Sequence, residues 1–267
     1  MLIKKINLID NKENVYLTAY IADVKNPIRD AMLVIPGGGY GCVCSDREGE
    51  PIALAFVARG MNAFVLNYSV KPDDKYQPLI EASLAMKHIK ENAEEYSINP
   101  DRVFCVGFSA GGHLCATLGT MWHDKELNEK AGIKHGINKP CGMVLCYPVI
   151  SAVDSAGHLG SFQNLLGLEF DNIDVRNAFS AEKRVDENTC PAFIVHTAED
   201  AVVPVKNALL MAESLANNKI FFEMHIYPNG PHGMAMANSD TNMGREDLTD
   251  SQYARWVDDV IIWSKRF

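Results

Sequence analysis

Gly107-Phe108-Ser109-Ala110-Gly111-Gly112 lies between two stretches of different periodicity. Before it, Arg102-Val103-Phe104-Cys105-Val106 is an apolar, strand-like run, and after it Ala110 to Leu118 reads as a helix. A Gly-x-Ser-x-Gly turn between a strand and a helix is the pattern of a nucleophile elbow. The turn must be so tight that the serine adopts a strained backbone, and side chains at 107 and 111 would collide across it. The strain lifts the Ser109 hydroxyl to the tip of a sheet, above the positive end of the following helix. Ser109 is therefore the candidate nucleophile, with a plain turn serine as the bland alternative.

A serine is inert until a base takes its proton, and the base needs an orienting acid. Pro191 to Thr197 reads as a buried strand ending in Ala198-Glu199-Asp200-Ala201-Val202-Val203-Pro204. Phe221 to Tyr227 reads as another, ending in Pro228-Asn229-Gly230-Pro231-His232-Gly233. Ser, Asp, His in that chain order, each after a strand, fits Ser109 as nucleophile, His232 as base and Asp200 as orienter. Glu199 competes for the acid position, but successive side chains point apart and Asp200 has the Asp-x-x-Val-Pro context. Seven other histidines compete with His232. His196 and His225 fall inside strands, His113 on the helix after the elbow, His88 on an amphipathic helix, and His123 and His135 in polar loops. Only His232 follows the last strand between glycines.

Acyl chemistry also needs donors for a developing oxyanion. The strand Ala31 to Ile35 runs into Pro36-Gly37-Gly38-Gly39-Tyr40. The glycines let bare N–H groups approach a negative charge, so Gly38, Gly39 and Ala110, the residue after the nucleophile, are the candidate oxyanion donors. A flexible turn is the bland reading of three glycines.

These motifs resemble the α/β-hydrolase esterases, and within them the bacterial acetyl esterase and acetylxylan esterase-like enzymes. The resemblance runs from about Ala31 to the C-terminus. It rests on the glycine run, Asn99-Pro100-Asp101-Arg102 before the elbow strand, Gly107 to Leu114, His196 to Asp200, and Gly230-Pro231-His232-Gly233. It implies hydrolysis of short acyl esters, often acetyl groups on sugars. Two departures stand out. Pro36 replaces the histidine of the common His-Gly-Gly-Gly loop, and Tyr68-Ser69 stands where many relatives carry Tyr-Arg.

Composition narrows the partners. The chain has 267 residues, 47% hydrophobic and 22% charged, which suits one soluble α/β domain with a substantial core. A net charge of −9 without a basic tract argues against nucleic acid and against an anionic membrane or strongly acidic substrate. The N-terminus lacks the apolar core of a signal peptide, and no run of about 20 apolar residues suits a membrane span. Seven cysteines, several in apolar patterns, read as buried thiols of a reducing compartment, so the expected location is cytoplasmic. Cys42-Val43-Cys44 has the wrong spacing for a Cys-x-x-Cys motif and receives no role. The mechanism calls for no metal and no organic cofactor.

Strands alternate with helices along the chain. An early strand pair near 4–9 and 15–22 precedes Ala31–Ile35. Then come a helix at Glu50–Gly60, a strand at Asn62–Tyr68, a helix from Leu79 to Tyr96, a strand at Gly142–Pro148, and helices near Val205–Asn217 and Asp250–Lys265. The pattern predicts a single α/β-hydrolase domain, with a mostly parallel, twisted sheet covered on both faces. Residues 149–188 break the rhythm and read as a small cap insertion of two short helices. His158, Phe162 and Gln163 there, and Tyr40 beside the glycines, are candidate substrate contacts; packing and loop bracing are the alternatives. A small peptidase of the same fold and a non-catalytic hydrolase-fold binding protein are the rival functions. The first has no room here for extra recognition elements, and the second would be expected to lack a member of the triad.

Overall fold

A computed structural model describes residues 1–23, 27–134, 136–153 and 155–267. His135 lies outside the described residues. The strands are β1 (Leu2–Asn7), β2 (Tyr16–Ile21), β3 (Arg29–Ile35), β4 (Asn62–Asn67), β5 (Ile98–Phe108), β6 (Met143–Cys146), β7 (Ala192–Thr197) and β8 (Phe222–Tyr227). They form one sheet in the order β1-β2-β4-β3-β5-β6-β7-β8. The pairs from β4 to β8 are parallel, and β1 and β2 join the edge antiparallel.

The helices are α1 (Ser45–Glu48), α2 (Glu50–Ala58), α3 (Gln77–Glu91), α4 (Ala110–Met121), α5 (Lys125–Ala131), α6 (Leu159–Leu166), α7 (Ile173–Ala178), α8 (Lys206–Asn217) and α9 (Trp256–Ser264). They cover both faces because the central strands are apolar on both. Along β3, Ala31, Leu33 and Ile35 enter the core shared with α3, α4 and α8. Met32 and Val34 alternate into the opposite core, with Phe56 of α2 and Trp256 and Trp263 of α9. Every residue of α4 is buried, so the helix behind the elbow is fixed along its whole length.

Several boundaries differ from the sequence expectation. α3 ends at Glu91 instead of Tyr96, because Asn92 caps it: its N–H and its side-chain Nδ2 both donate to the His88 carbonyl. The last helix begins at Trp256, after a 3-10 turn at Tyr253–Arg255. α5 was not anticipated. Asp124 caps its first turn by accepting from Leu127 N–H, and Gly132 closes it in the left-handed region at φ 60°. Residues 149–188 contain α6, α7 and two 3-10 turns.

Candidate active site

β5 and α4 meet at Ser109, whose backbone sits at φ 53°, ψ −118°. A non-glycine residue there is strained and persists only where its surroundings hold it. Its N–H donates to Cys146 O on β6 at 3.0 Å, and its carbonyl accepts from Val149 N–H at 3.0 Å. The flanking glycines have steric causes. A Cβ on Gly107 would stand 2.1 Å from the Gly111 carbonyl oxygen, and one on Gly111 would stand 2.2 Å from that of Ile35. Larger residues would push the elbow off the sheet.

β7 and β8 end beside this point. Asp200 Oδ2 lies 2.7 Å from His232 Nδ1, and His232 Nε2 lies 2.8 Å from Ser109 Oγ. The carboxylate accepts the Nδ1–H, which leaves Nε2 free to accept the serine proton. The N–H groups of Val202 and Val203 donate to the other oxygen of Asp200, at 2.9 and 2.8 Å. Burial opposes ionisation of Asp200. Hydrogen bonds from His196, His232 and the Val203 amide outweigh it and hold the carboxyl well below the usual carboxylate range. Glu199 points to solvent and reaches only Gly230 N–H, at 3.4 Å. His196 is fully buried on the far side of Asp200, with Nε2 2.9 Å from Val203 O and 3.4 Å from Asp200 Oδ2.

The glycine loop faces the same point. Gly38 (φ 126°) and Gly39 (φ 64°) adopt conformations that favour glycine, and both line a cavity with Ser109 and His232. The Ala110 N–H opens α4, where helical amides have no intrahelical acceptor. The loop is held on all sides. Glu48 accepts from Gly37 N–H at 2.8 Å, the Tyr68 hydroxyl donates to Pro36 O at 2.8 Å, and Asn164 Nδ2 of α6 donates to Gly39 O at 2.9 Å. Tyr68 thus braces the loop at Pro36. Ser69 bonds the buried Glu81 through its N–H and its hydroxyl, at 2.7 and 2.6 Å.

Glu48 was not singled out from the sequence. It is 4% exposed, and its second oxygen accepts from the Tyr147 hydroxyl at 2.8 Å. Tyr147 in turn accepts from Ala235 N–H at 3.0 Å and stands edge-on to the His232 ring. One buried chain of bonds therefore joins the glycine loop to the loop that carries His232. The sequence signal is faint: a glutamate in a short run eleven residues after Gly37.

The cavity has a volume of about 340 Å³ and is lined also by Cys44, Arg47, His158 and Val202. Of the expected substrate contacts, His158 lies on it. Its Nδ1 is bonded to the Ser161 hydroxyl at 2.8 Å. Burial and the neighbouring His232 lower the His158 pKa. Tyr40 and Phe162 are corrections. They are 1% and 0% exposed and are absent from the cavity wall. Tyr40 donates to His113 Nδ1 at 2.8 Å, and Phe162 stacks edge-on against that imidazole, because α6 folds down over α4. Gln163 is exposed on α6 and also lies outside the cavity lining. Among the described residues, no group of three or more His, Cys, Asp or Glu side chains is placed to hold a metal ion.

The strand order, the elbow and the convergence of Ser109, His232 and Asp200 define an α/β hydrolase. The chain belongs to the BD-FAE family, whose model matches residues 17–215. It is 42% identical to endo-1,4-beta-xylanase B of Butyrivibrio fibrisolvens over 234 residues, 85% of this chain and 35% of that protein. It is 30% identical to an acetylxylan esterase of Xylanibacter ruminicola over 212 residues, 78% of this chain and 42% of that protein. The chain thus spans less than half the length of these two relatives. Among solved structures, an acetyl ester-xyloside bifunctional hydrolase from Caldicellulosiruptor lactoaceticus superposes with a TM-score of 0.79 at 33% identity, covering 96% of each chain.

Proposed function

We propose that this chain is a serine carboxylic-ester hydrolase that removes short acyl groups, acetyl foremost, from sugars or short oligosaccharides. The unbroken line from Asp200 through His232 to Ser109, opening into a cavity walled by Gly38 and Gly39, carries the reading. Ser109 Oγ attacks the ester carbonyl as His232 Nε2 takes its proton. The amides of Gly38, Gly39 and Ala110 receive the oxyanion, and donors of this kind are each worth about 10²–10³ in rate. His232 then returns the proton to the departing sugar oxygen, leaving an acyl group on Ser109. A water deprotonated by His232 releases the acid and restores the serine. Asp200 keeps the imidazole in the required tautomer and stabilises its charged form.

Acetyl specificity draws on the esterase relatives and on the small cavity. The 267 residues act as one unit, with 149–188 as a cap pinned to the glycine loop by Asn164. Among the described residues no helix is long and apolar enough to cross a membrane. We place the chain in the cytoplasm, on the strength of its seven free cysteines, four of them buried.

The test is acetate release from acetylated xylo-oligosaccharides by the wild type and by Ser109→Ala. The variant is expected to fold and to lose activity, and a serine-directed phosphonate is expected to label Ser109 alone. Turnover above a few per cent in the folded variant would remove Ser109 from the mechanism.

A further inference from the structure

Arg47 stands in the wall of the reaction cavity with Gly38, Gly39, Ser109, His158 and His232. Four other guanidinium groups are held close by carboxylates, and that of Arg176 donates to the Ala152 carbonyl. Arg59 holds Asp258, Arg102 holds Asp30, Arg184 holds Asp124 and Arg245 holds Asp247. Arg47 forms no ion pair with a described residue, and its Nε and Nη2 are closed off from solvent without an acceptor. Arg29 also has two such nitrogens, but it opens β3 at the end of the sheet away from Ser109.

Two carboxylates of the site are already engaged. Glu48 accepts from Gly37 N–H and the Tyr147 hydroxyl, and Asp200 accepts from His232 and two amides. A half-buried cation with no protein partner is costly, and the cost is removed by an anion that binds beside it. Nη1, which is not closed off, is the edge of the guanidinium that an anion in the cavity can meet. Planar guanidinium suits a carboxylate better than a neutral hydroxyl, through charge-assisted and often paired hydrogen bonds.

The position of Arg47 tells which part of the ester carries that anion. Its Nη2 packs against Gly233, where an added Cβ would stand 2.7 Å away. It therefore adjoins His232, the group that returns a proton to the departing alcohol. The acyl carbonyl oxygen belongs with the glycine amides. We propose that Arg47 is a specificity-determining residue that receives a carboxylate on the alcohol part of the ester. The favoured substrate class is then an acetylated uronic acid, or an oligosaccharide that bears one. The inference rests on the esterase reading above. The net charge of −9 repels an acidic polymer at a distance, but physiological salt screens that field over about 8 Å. A single carboxylate inside the cavity meets Arg47 at shorter range.

The experiment compares two esters acetylated at the same ring hydroxyl that differ only at C6, a carboxylate in one and a hydroxymethyl in the other: acetylated methyl glucuronide and acetylated methyl glucoside. Acetate release gives kcat/KM for each. The wild type is expected to favour the glucuronide by about 10- to 100-fold, the range for a hydrogen bond to a charged group. Arg47→Gln is expected to erase that preference, and Arg47→Lys to keep part of it. Unmodified methyl glucuronide is expected to inhibit wild-type hydrolysis of 4-nitrophenyl acetate more strongly than methyl glucoside, which tests the site even where a variant fails to fold. Turnover of both esters by the wild type without preference would overturn the inference and leave the esterase standing. So would equal losses on both esters in Arg47→Gln. A wild type that hydrolyses neither ester nor 4-nitrophenyl acetate would sink the esterase reading, and this inference with it.

Discussion

The Ser109 backbone carries strain that its neighbours must hold, and the two acids beside it show how position decides role. Asp200 is buried and takes bonds from His232, Val202 and Val203, whereas Glu199, one residue earlier, faces solvent. Asp200→Asn is expected to lower kcat by about 10⁴, because an amide at that point favours the wrong imidazole tautomer. Glu199→Gln is expected to cost less than about tenfold, since it keeps an oxygen that can accept the one long bond from Gly230. Steady-state kinetics on 4-nitrophenyl acetate checks both, and a reversed order would move the acid to Glu199. Glu48 makes a second case. Glu48→Gln keeps the shape, but its amide NH₂ must face either Gly37 N–H or a tyrosine hydroxyl that already accepts from Ala235. A loss of about 1–3 kcal/mol in stability and a fall in kcat are expected together; urea unfolding beside kinetics reads them, and an unchanged kcat would detach Glu48 from the glycine loop. Ser109, Asp200 and His232 were legible in the sequence because each follows a strand end in a motif with a steric or chemical cause. Glu48 and Arg47 were not, because a four-residue helix has no periodicity to reveal which way its side chains point.

At the scale of elements, one histidine couples three parts of the fold. His113 on α4 must carry its proton on Nε2, since that atom faces the Phe179 carbonyl at 2.7 Å. Its Nδ1 then accepts from the hydroxyl of Tyr40, next to the glycine loop. Elbow helix, glycine loop and the 149–188 segment are thereby locked together. Burial drives the His113 pKa down to about 4, against a smaller opposite effect of the Phe179 bond. The group is neutral in the fold and ordinary in the unfolded chain. Its contribution is therefore fully present above pH 6.5 and is lost as pH falls from 6.5 to about 4, where the unfolded state takes up a proton that the fold refuses. The loss is on the order of 3 kcal/mol. His88 and His158, whose pKa values burial also lowers, add in the same direction. Urea unfolding across this window is expected to show stability rising with pH, with a shallower slope in His113→Gln; an equal slope would deny the histidine this role. The sequence placed His113 on the right helix, but its partners come from residues 73 and 66 positions away. No local pattern encodes such pairs. For the same reason Tyr40 and Phe162 read as substrate contacts until the fold buried them.

For the molecule as a whole, the sheet brings three distant strand ends to one point and the 149–188 segment limits the space above it. The alternation of strands and helices was legible because both faces of the central sheet are buried, which leaves long apolar runs. The size of the cavity was not, because its wall is assembled from residues far apart in the chain, Gly38 and Gly39, Arg47 and Glu48, His158, Val202 and His232 with Gly233. Asn164 on Gly39 O and Phe162 on His113 hold α6 down, and with it His158 at its head, the residue of this segment that lines the cavity of about 340 Å³. That volume must take the acyl group and the adjoining part of the alcohol. A long acyl chain would have to leave methylenes in water or displace wall residues such as His158, which its bond to Ser161 ties to α6. Each methylene that the pocket cannot bury forgoes the transfer energy that a lipase tunnel would supply, and crowding adds to the loss. Across aryl esters from acetyl to octanoyl, kcat/KM is therefore expected to be highest between acetyl and butyryl and to fall steeply beyond. Shortening the Asn164 side chain to Ala releases Gly39 and frees one edge of α6, which carries His158, so two residues of the cavity wall can move and the fall is expected to flatten. A wild type that prefers octanoyl would show the acyl group leaving the cavity by another route, and a limit unchanged in Asn164→Ala would place the boundary elsewhere than in the clamp on Gly39.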